Sequence, residues 1–452
     1  MAQLRQGTPG RAAQATGVLT LLVTALATGA CSSDNSNGTS SGPMVKIGLM
    51  LEFEDQGETR REVATGRMAL REINDAGGLS VGNVAYKLDV EPVDDKYTLA
   101  GAVSALDTLA GNHISFSMSP PTSFLALGSD PSGKDGASIA GRDRHIIQIS
   151  GSATNPGISK LDTQGYQWRT VAPDDRQGAV AGHYLAEQLG IKRVSVIIRG
   201  DAYGRGLATA MTSTFESLGG TVLATVEYDT TKATIPDVNT YGYKNELAAL
   251  FKDSPEAVYL ATGDEGIQIG NSAVLEGYVD AYGAKPPVFV AGDGLVTFDT
   301  LANAVPQFLD NLSGTAPYPD PSNRDFVKFS VAMQGAGLGT PINYEAYRYD
   351  AFYIFALAIQ KANSLDPEVV KQQIAAVTRA DPDSTQIHVG DWALAKSELL
   401  AGKGVDYEGA SGSIELQDDG GPGAASFAIW TPKPKPEGGY EYAYTPIKTN
   451  TN

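Results

Sequence analysis

Four short segments place small, polar or acidic residues directly after an apolar run: SMSPPTS (117–123), SGSATNP (150–156), RGDAYGRG (199–206) and AGDGL (291–295). The first two offer hydroxyls and backbone N–H groups without bulky side chains. Such a surface lets a ligand approach closely and suits a carboxylate. The third sets an aromatic ring, Tyr203, between glycines, and the fourth offers one carboxylate, Asp293, suited to an ammonium. Groups that hold a carboxylate on one side and an ammonium on the other hold a zwitterion. Each segment alone also reads as an ordinary loop, because Gly, Ser, Thr and Asn dominate loops. The weight lies in all four following apolar runs.

Other chemistry finds less support. GLSVG (78–82) has the spacing of an esterase nucleophile, but that mechanism needs a strand leading into a helix. Here a helix ends at Gly77-Gly78 and a strand follows. The four histidines, His113, His145, His183 and His388, are scattered, with no partner at metal-ligand spacing. QDDGGPG (417–423) lacks the spacing and the closing Glu of a calcium loop. Neither a GK[ST] phosphate loop nor a G-x-G-x-x-G after a strand occurs. The expectation is a protein that is no enzyme and carries no cofactor or metal.

The elements that must position the four loops alternate regularly. VKIGLML (45–51), YKLDVEPV (86–93), HISFSMS (113–119) and HIIQIS (145–150) read as strands. Between them, 63–78 and 99–109 read as helices, the first with Met68, Ala69, Ile73 and Ala76 on one face. A second series starts after Trp168. It comprises a helix over 175–189, the strand VSVIIR (194–199), a helix over 202–218, TVLATVEY, AVYLA (257–261) and PVFVAG (287–292). Apolar strands separated by helices imply parallel sheets covered on both faces. Two such series predict an α/β protein of two doubly wound parallel-sheet lobes. A strong helix spans 344–364, and the segment from 412 to 430 has the pattern of a hairpin around a glycine-rich turn. The Pro-rich TPKPKPEGG that follows reads as an exposed tail.

The chain has 452 residues and a formal charge of −18, which argues against nucleic acid and against an electrostatic membrane binder. Arg5 and Arg11 precede GVLTLLVTALA and then TGAC at 28–31, the layout of a secretory signal over 1–30. Cys31 is the single cysteine, so no intrachain disulfide forms. Small residues ending at this cysteine resemble a bacterial lipobox, which would make Cys31 a lipidated N-terminus. The alternative is ordinary cleavage after Ala27, leaving a free thiol. SSDNSNGTSSG (32–42) has no apolar residue and reads as a flexible tether within 31–43.

Taken in order, VKIGLML, the helix ending INDAGG, YKLDVEPVDD, ISGSATNP, VAPDDRQGAVAGHYL, VSVIIRGDAYGRG and YRYDAFYIFALAIQKANS resemble the type I periplasmic solute-binding proteins of the leucine/isoleucine/valine-binding family. The resemblance covers about 44 to 447. It implies two hinged lobes, 44–172 with 299–422 and 173–298 with 423–447, that close over a small amino acid or related zwitterion. Delivery to the permease subunits of an ABC importer, from a lipid anchor on the bacterial envelope facing the periplasm or exterior, is implied with it. It implies too that Ser119, Ser152, Ala153 and Thr154 hold the ligand carboxylate, that Tyr203 lies over the ligand, and that Asp293 pairs with the ammonium. Phe53 and Glu265 are further candidates. The chain departs from the family in LEFEDQG (51–57), which makes that side of the site acidic if Glu52, Glu54 and Asp55 face it. A family aromatic falls on Gly263, and a rim insertion precedes the SGSATNP strand. These departures motivate a second reading: an envelope lipoprotein that docks on another envelope protein and keeps only a vestigial pocket.

Overall fold

In a computed structural model, residues 42–53, 56–130, 132–229, 243–342 and 344–447 are described. The proposed signal and Cys31 lie outside them. β1 (Met44–Leu51), β2 (Leu79–Val81), β3 (Val84–Asp94), β4 (Phe116–Met118), β5 (Ile147–Ser150) and β6 (Gln167–Arg169) form one sheet in the order β2-β3-β1-β4-β5-β6. β1 pairs in parallel with β3 and β4, and β4-β5-β6 continue in parallel. Ile47 and Leu49 of β1 are fully buried, as expected for the middle strand of a sheet covered on both sides.

β7 (Arg193–Arg199), β8 (Thr221–Tyr228), β9 (Ala257–Ala261), β10 (Val288–Ala291) and β11 (Leu312–Pro317) make the parallel part of the second sheet. β12 (Thr385–Ile387), β13 (Val405–Gly409) and β14 (Gly412–Ser413) form a small separate sheet. β15 (Phe427–Pro434) and β16 (Tyr440–Ile447) then return antiparallel to the edge of β11, giving the order β16-β15-β11-β10-β9-β7-β8. The fold is that of two doubly wound α/β lobes, as the alternation of elements predicts.

Three details differ from the sequence reading. β11 lies in the second sheet, so the chain returns to the first lobe after Pro317 and not at 298/299. LSGTAP has too little apolar character to read as a strand. The C-terminal hairpin is β15–β16, turning at 435–439, and not the 412–430 segment. The Pro-rich stretch is part of β15: Pro432 and Pro434 lie beyond the residues paired with β11, on an edge where a missing N–H costs no ladder bond. The helix Glu345–Ala362 is buried on every face through Gln360, because it packs against the helix Gln56–Asp75 and the helix Trp392–Leu400 as well as the first sheet. Ser80, the serine of GLSVG, sits in the short edge strand β2 and its N–H donates to Gln360 Oε1 at 2.8 Å, a structural turn. Among the described residues no helix is long and apolar enough to cross a membrane.

The chain crosses between lobes after β6, after β11 and before β15. Backbone bonds tie these crossings together: Arg169 N–H donates to Gly420 O at 2.8 Å and Tyr318 N–H to Ser426 O at 3.0 Å. Strands of both sheets end at the cleft, where open α/β sheets take ligands.

Candidate functional site

A cavity of about 490 Å³ opens between the lobes, within the range of roughly 300–1,000 Å³ usual for small-molecule sites. Gly57, Arg61, Glu62, Tyr97, Pro121, Thr122, Ser123, Phe124, Ser152, Tyr344, Glu345 and Arg348 line it from the first lobe. Arg199, Asp201, Tyr203, Gly263, Asp264, Asp293, Gly294, Val296, Thr297, Phe298 and Asp299 line it from the second. Each arginine is already paired. Arg61 binds Glu345, Arg348 Nη1 lies 2.7 Å from Glu62 Oε1, and Arg199 Nε lies 2.7 Å from Asp201 Oδ2. Asp264, Asp293 and Asp299 then leave the lining richer in carboxylate than in guanidinium. Among the described residues, two cation–π contacts bridge the lobes: the Arg199 guanidinium lies 5.6 Å from the Tyr97 ring centre, and that of Arg61 lies 5.3 Å from Phe298.

The floor on the second lobe is built around Asp293, which follows β10 and is 2 % exposed. Gln177 Nε2 donates to its Oδ1 at 2.7 Å and also to Thr315 O at 2.9 Å. Tyr203 O–H donates to the same Oδ1 at 2.9 Å and accepts from Gly294 N–H at 3.1 Å. Burial pushes the Asp293 carboxyl up to about 6, against the hydrogen bonds from Gln177 and Tyr203. Gly294 must be glycine here: a Cβ would meet Thr262 O at 2.4 Å and Tyr203 Oη at 3.1 Å. Behind Asp293, burial and then the Asp293 charge itself hold the Asp174 carboxyl well above the usual range.

The expected site residues divide into two groups. Ser152, Tyr203 and Asp293 line one cavity. Ser119, Ala153 and Thr154 are buried and are not among its lining residues. Ser119 Oγ donates to Gln148 Oε1 at 3.1 Å. Ala153 N–H donates to Ser150 Oγ at 2.9 Å. Thr154 N–H donates to Ser123 Oγ at 3.1 Å, and Thr154 O accepts from Asp174 N–H at 2.8 Å. These residues hold the rim loops in shape; Ser152 Oγ in turn donates to Pro121 O at 2.8 Å.

Phe53 and Glu265 are also off the lining. Phe53 is 36 % exposed, with its N–H on Asp94 Oδ1 at 3.3 Å. Glu265 lies one layer deeper: Arg199 Nη1 is 3.0 Å from its Oε1, and Tyr228 O–H donates to that oxygen at 2.6 Å. The space left by Gly263 is taken by Arg199, whose Nη1 would stand 2.6 Å from a Cβ there. In the altered first loop Gly57 reaches the cavity and Glu52 does not, while Glu54 and Asp55 lie outside the described residues. The sequence reading missed Arg61, Glu62, Glu345 and Arg348. Two of them stand in YEAYRYD, where charges interrupt an otherwise apolar helix, and that interruption was the available signal.

Residues 55–391 match the family "Periplasmic binding protein". A Leu/Ile/Val-binding protein homolog 1 from Brucella suis is 28% identical over 304 residues, covering 67% of this chain and 74% of the relative. A leucine-, isoleucine-, valine-, threonine- and alanine-binding protein from Pseudomonas aeruginosa is 25% identical over 368 residues, 76% of this chain and 82% of that one. The crystal structure of the branched-chain amino acid transporter substrate binding protein LivJ from Streptococcus pneumoniae, in complex with isoleucine, shares the fold. It aligns with a TM-score of 0.67 at 18% identity, over 89% of this chain and 100% of the other.

Proposed function

Because the chain belongs to the periplasmic binding protein family, we propose that it captures a small amino-acid-like zwitterion between its lobes by hinge closure. The observation that carries this reading is Asp293: a carboxylate 2 % exposed that borders the interlobe cavity, in a lining with more acids than arginines. The ligand ammonium sits against Asp293 and the Tyr203 ring. Its carboxylate takes the hydroxyl rim of Thr122, Ser123 and Ser152 on the other lobe. A ligand that touches both rims stabilises the closed arrangement by contacts the open one lacks. No bond is made or broken. Ser119, Ala153 and Thr154 act on the ligand through the rim they support, and Glu265 through Arg199.

The same reading extends to transport. After removal of 1–30 the chain is anchored through a lipid on Cys31, faces the periplasm or the cell exterior, and hands its ligand to the permease subunits of an ABC importer. The names of the relatives above favour an amino acid as cargo.

A calorimetric titration against single amino acids tests capture. At least one is expected to bind at micromolar Kd and, at 1,000-fold excess over that Kd, to stabilise the fold by about 4 kcal/mol. If no amino acid or small carboxylate binds, the docking reading replaces this one. Cys31→Ser is expected to move the protein from the membrane to the soluble fraction; retention on the membrane rejects the anchor.

A further inference from the structure

We propose that Asp406, Glu408 and Glu415 form a calcium site on the first lobe, outside the cleft lining. Asp406 and Glu408 are two apart on β13 and therefore share a face of the strand. The intervening Tyr407 turns inward: it is fully buried and stacks on Tyr353 with ring centres 4.8 Å apart. Glu415 follows β14, the antiparallel partner of β13, and returns to the same face. One carboxylate oxygen from each of the three lies within 4.8 Å of the others. Two oxygens bound to one Ca²⁺ at about 2.4 Å stand no more than about 4.8 Å apart, so a single ion satisfies the cluster.

A second observation separates this cluster from an ordinary acidic patch. Asp406 is 7 % exposed, and its Oδ1 is buried with no hydrogen-bond partner. A buried carboxylate oxygen without a donor is costly unless something positive meets it. The other polar contacts are long: Gln386 Nε2 to Glu408 Oε1 and Ala380 N to Glu415 Oε1, both 3.4 Å. The nearby His388 has its Nδ1 held by Asp325 Oδ2 at 2.8 Å. Burial raises the Asp406 carboxyl, and the neighbouring Glu415 adds to the rise. Three hard oxygen donors select an alkaline-earth ion over a thiol-seeking or imidazole-seeking metal. Mg²⁺ needs oxygens at about 2.1 Å in a near-ideal octahedron, and the flexible geometry of Ca²⁺ suits a cluster drawn from a strand and a loop.

The test is equilibrium dialysis of the chelator-stripped full chain against radioactive calcium. One equivalent is expected to bind with Kd of about 0.1–1 mM, the range of extracellular calcium modules. Glu408→Gln and Glu415→Gln, each at a partly exposed position, are expected to weaken this binding at least tenfold while far-UV circular dichroism stays unchanged. Asp406 is left intact because its burial makes it the riskier substitution. Absence of saturable binding up to about 10 mM overturns the site. Undiminished binding in both variants also overturns it, since the ion would then sit elsewhere. Equal displacement by equimolar magnesium overturns the choice of ion.

Discussion

Asp293 and Asp350 are both buried carboxylates raised by desolvation, the first to about 6 and the second to about 7. Their surroundings differ. Asp350, inside the helix Glu345–Ala362, accepts from Tyr407 O–H at 2.9 Å, Ala410 N–H at 2.8 Å, Ser411 N–H at 2.8 Å and Ser411 O–H at 2.6 Å. Gly409 packs directly over it, with room for no Cβ: one would meet Asp350 Oδ2 at 2.4 Å. Asp293 accepts from Gln177 and Tyr203 and is also a lining residue of the interlobe cavity. Donors enclose Asp350, so it fastens the β13–β14 corner to the helix. Burial alone does not mark an acid that borders a cavity. What separates the two is that Asp293 also lines a cavity.

The largest expected effect is on the enclosed member. Asp350→Asn turns one acceptor oxygen into an amide facing the Ser411 donors, and is expected to lower unfolding free energy by about 3 kcal/mol. Denaturant titration checks this, and ligand affinity of the surviving folded protein should be unchanged. Asp293→Asn is the mirror case. It is expected to weaken amino-acid binding by about 2–3 kcal/mol, the loss of one buried charge partner, with the unfolding midpoint kept or raised. If Asp293→Asn unfolds the protein and Asp350→Asn spares it, the two roles are reversed.

The pH dependence sharpens the contrast. The folded-state value of Asp293 lies above the 3.8 of a free aspartate, so ionising it in the unliganded protein costs stability. That cost grows as pH rises from about 3.8 to about 6 and is constant above. A bound ammonium needs the ionised form. Affinity is therefore expected to fall about tenfold per pH unit below about 6 and to level off above it. Titrations from pH 4.5 to 8 should show this slope in the native protein and lose it in Asp293→Asn.

How much of this was legible in the sequence follows from how far apart the partners lie. The two sheets announce themselves in VKIGLML and VSVIIR, whose burial on both faces demands uninterrupted apolar residues. That Tyr203 and Asp293 line the cavity was legible because each sits where its own strand ends. Arg61 and Glu345 were not, because their ion pair joins residues 284 apart, and nothing local to either marks the other. The misplacement of β11 has the same cause: LSGTAP is a strand by virtue of β10 and β15 beside it, not by its own composition. The resemblance implies that Ser119 and Thr154 touch the ligand; motif alignment carries no depth, and in the structure both are buried and off the cavity lining.

That last distinction yields the smallest expected effect. Ser119 and Thr154 are buried and border other protein groups. Ser119→Ala removes the donor to Gln148, whose Nε2 remains held by Ala137 O at 3.0 Å, so the amide stays anchored. The expected cost is about 1 kcal/mol of stability, with less than about a threefold change in ligand affinity. Thr154→Val removes a hydroxyl beside the Asp174 carboxyl and is expected to behave alike. Ser152→Ala, one residue from Ala153 yet on the cavity wall, should instead lower affinity more than it lowers stability. Were Ser119→Ala or Thr154→Val to weaken binding as strongly as Ser152→Ala, the ligand would reach one layer deeper into the first lobe, and its carboxylate would sit against those side chains instead of the outer rim.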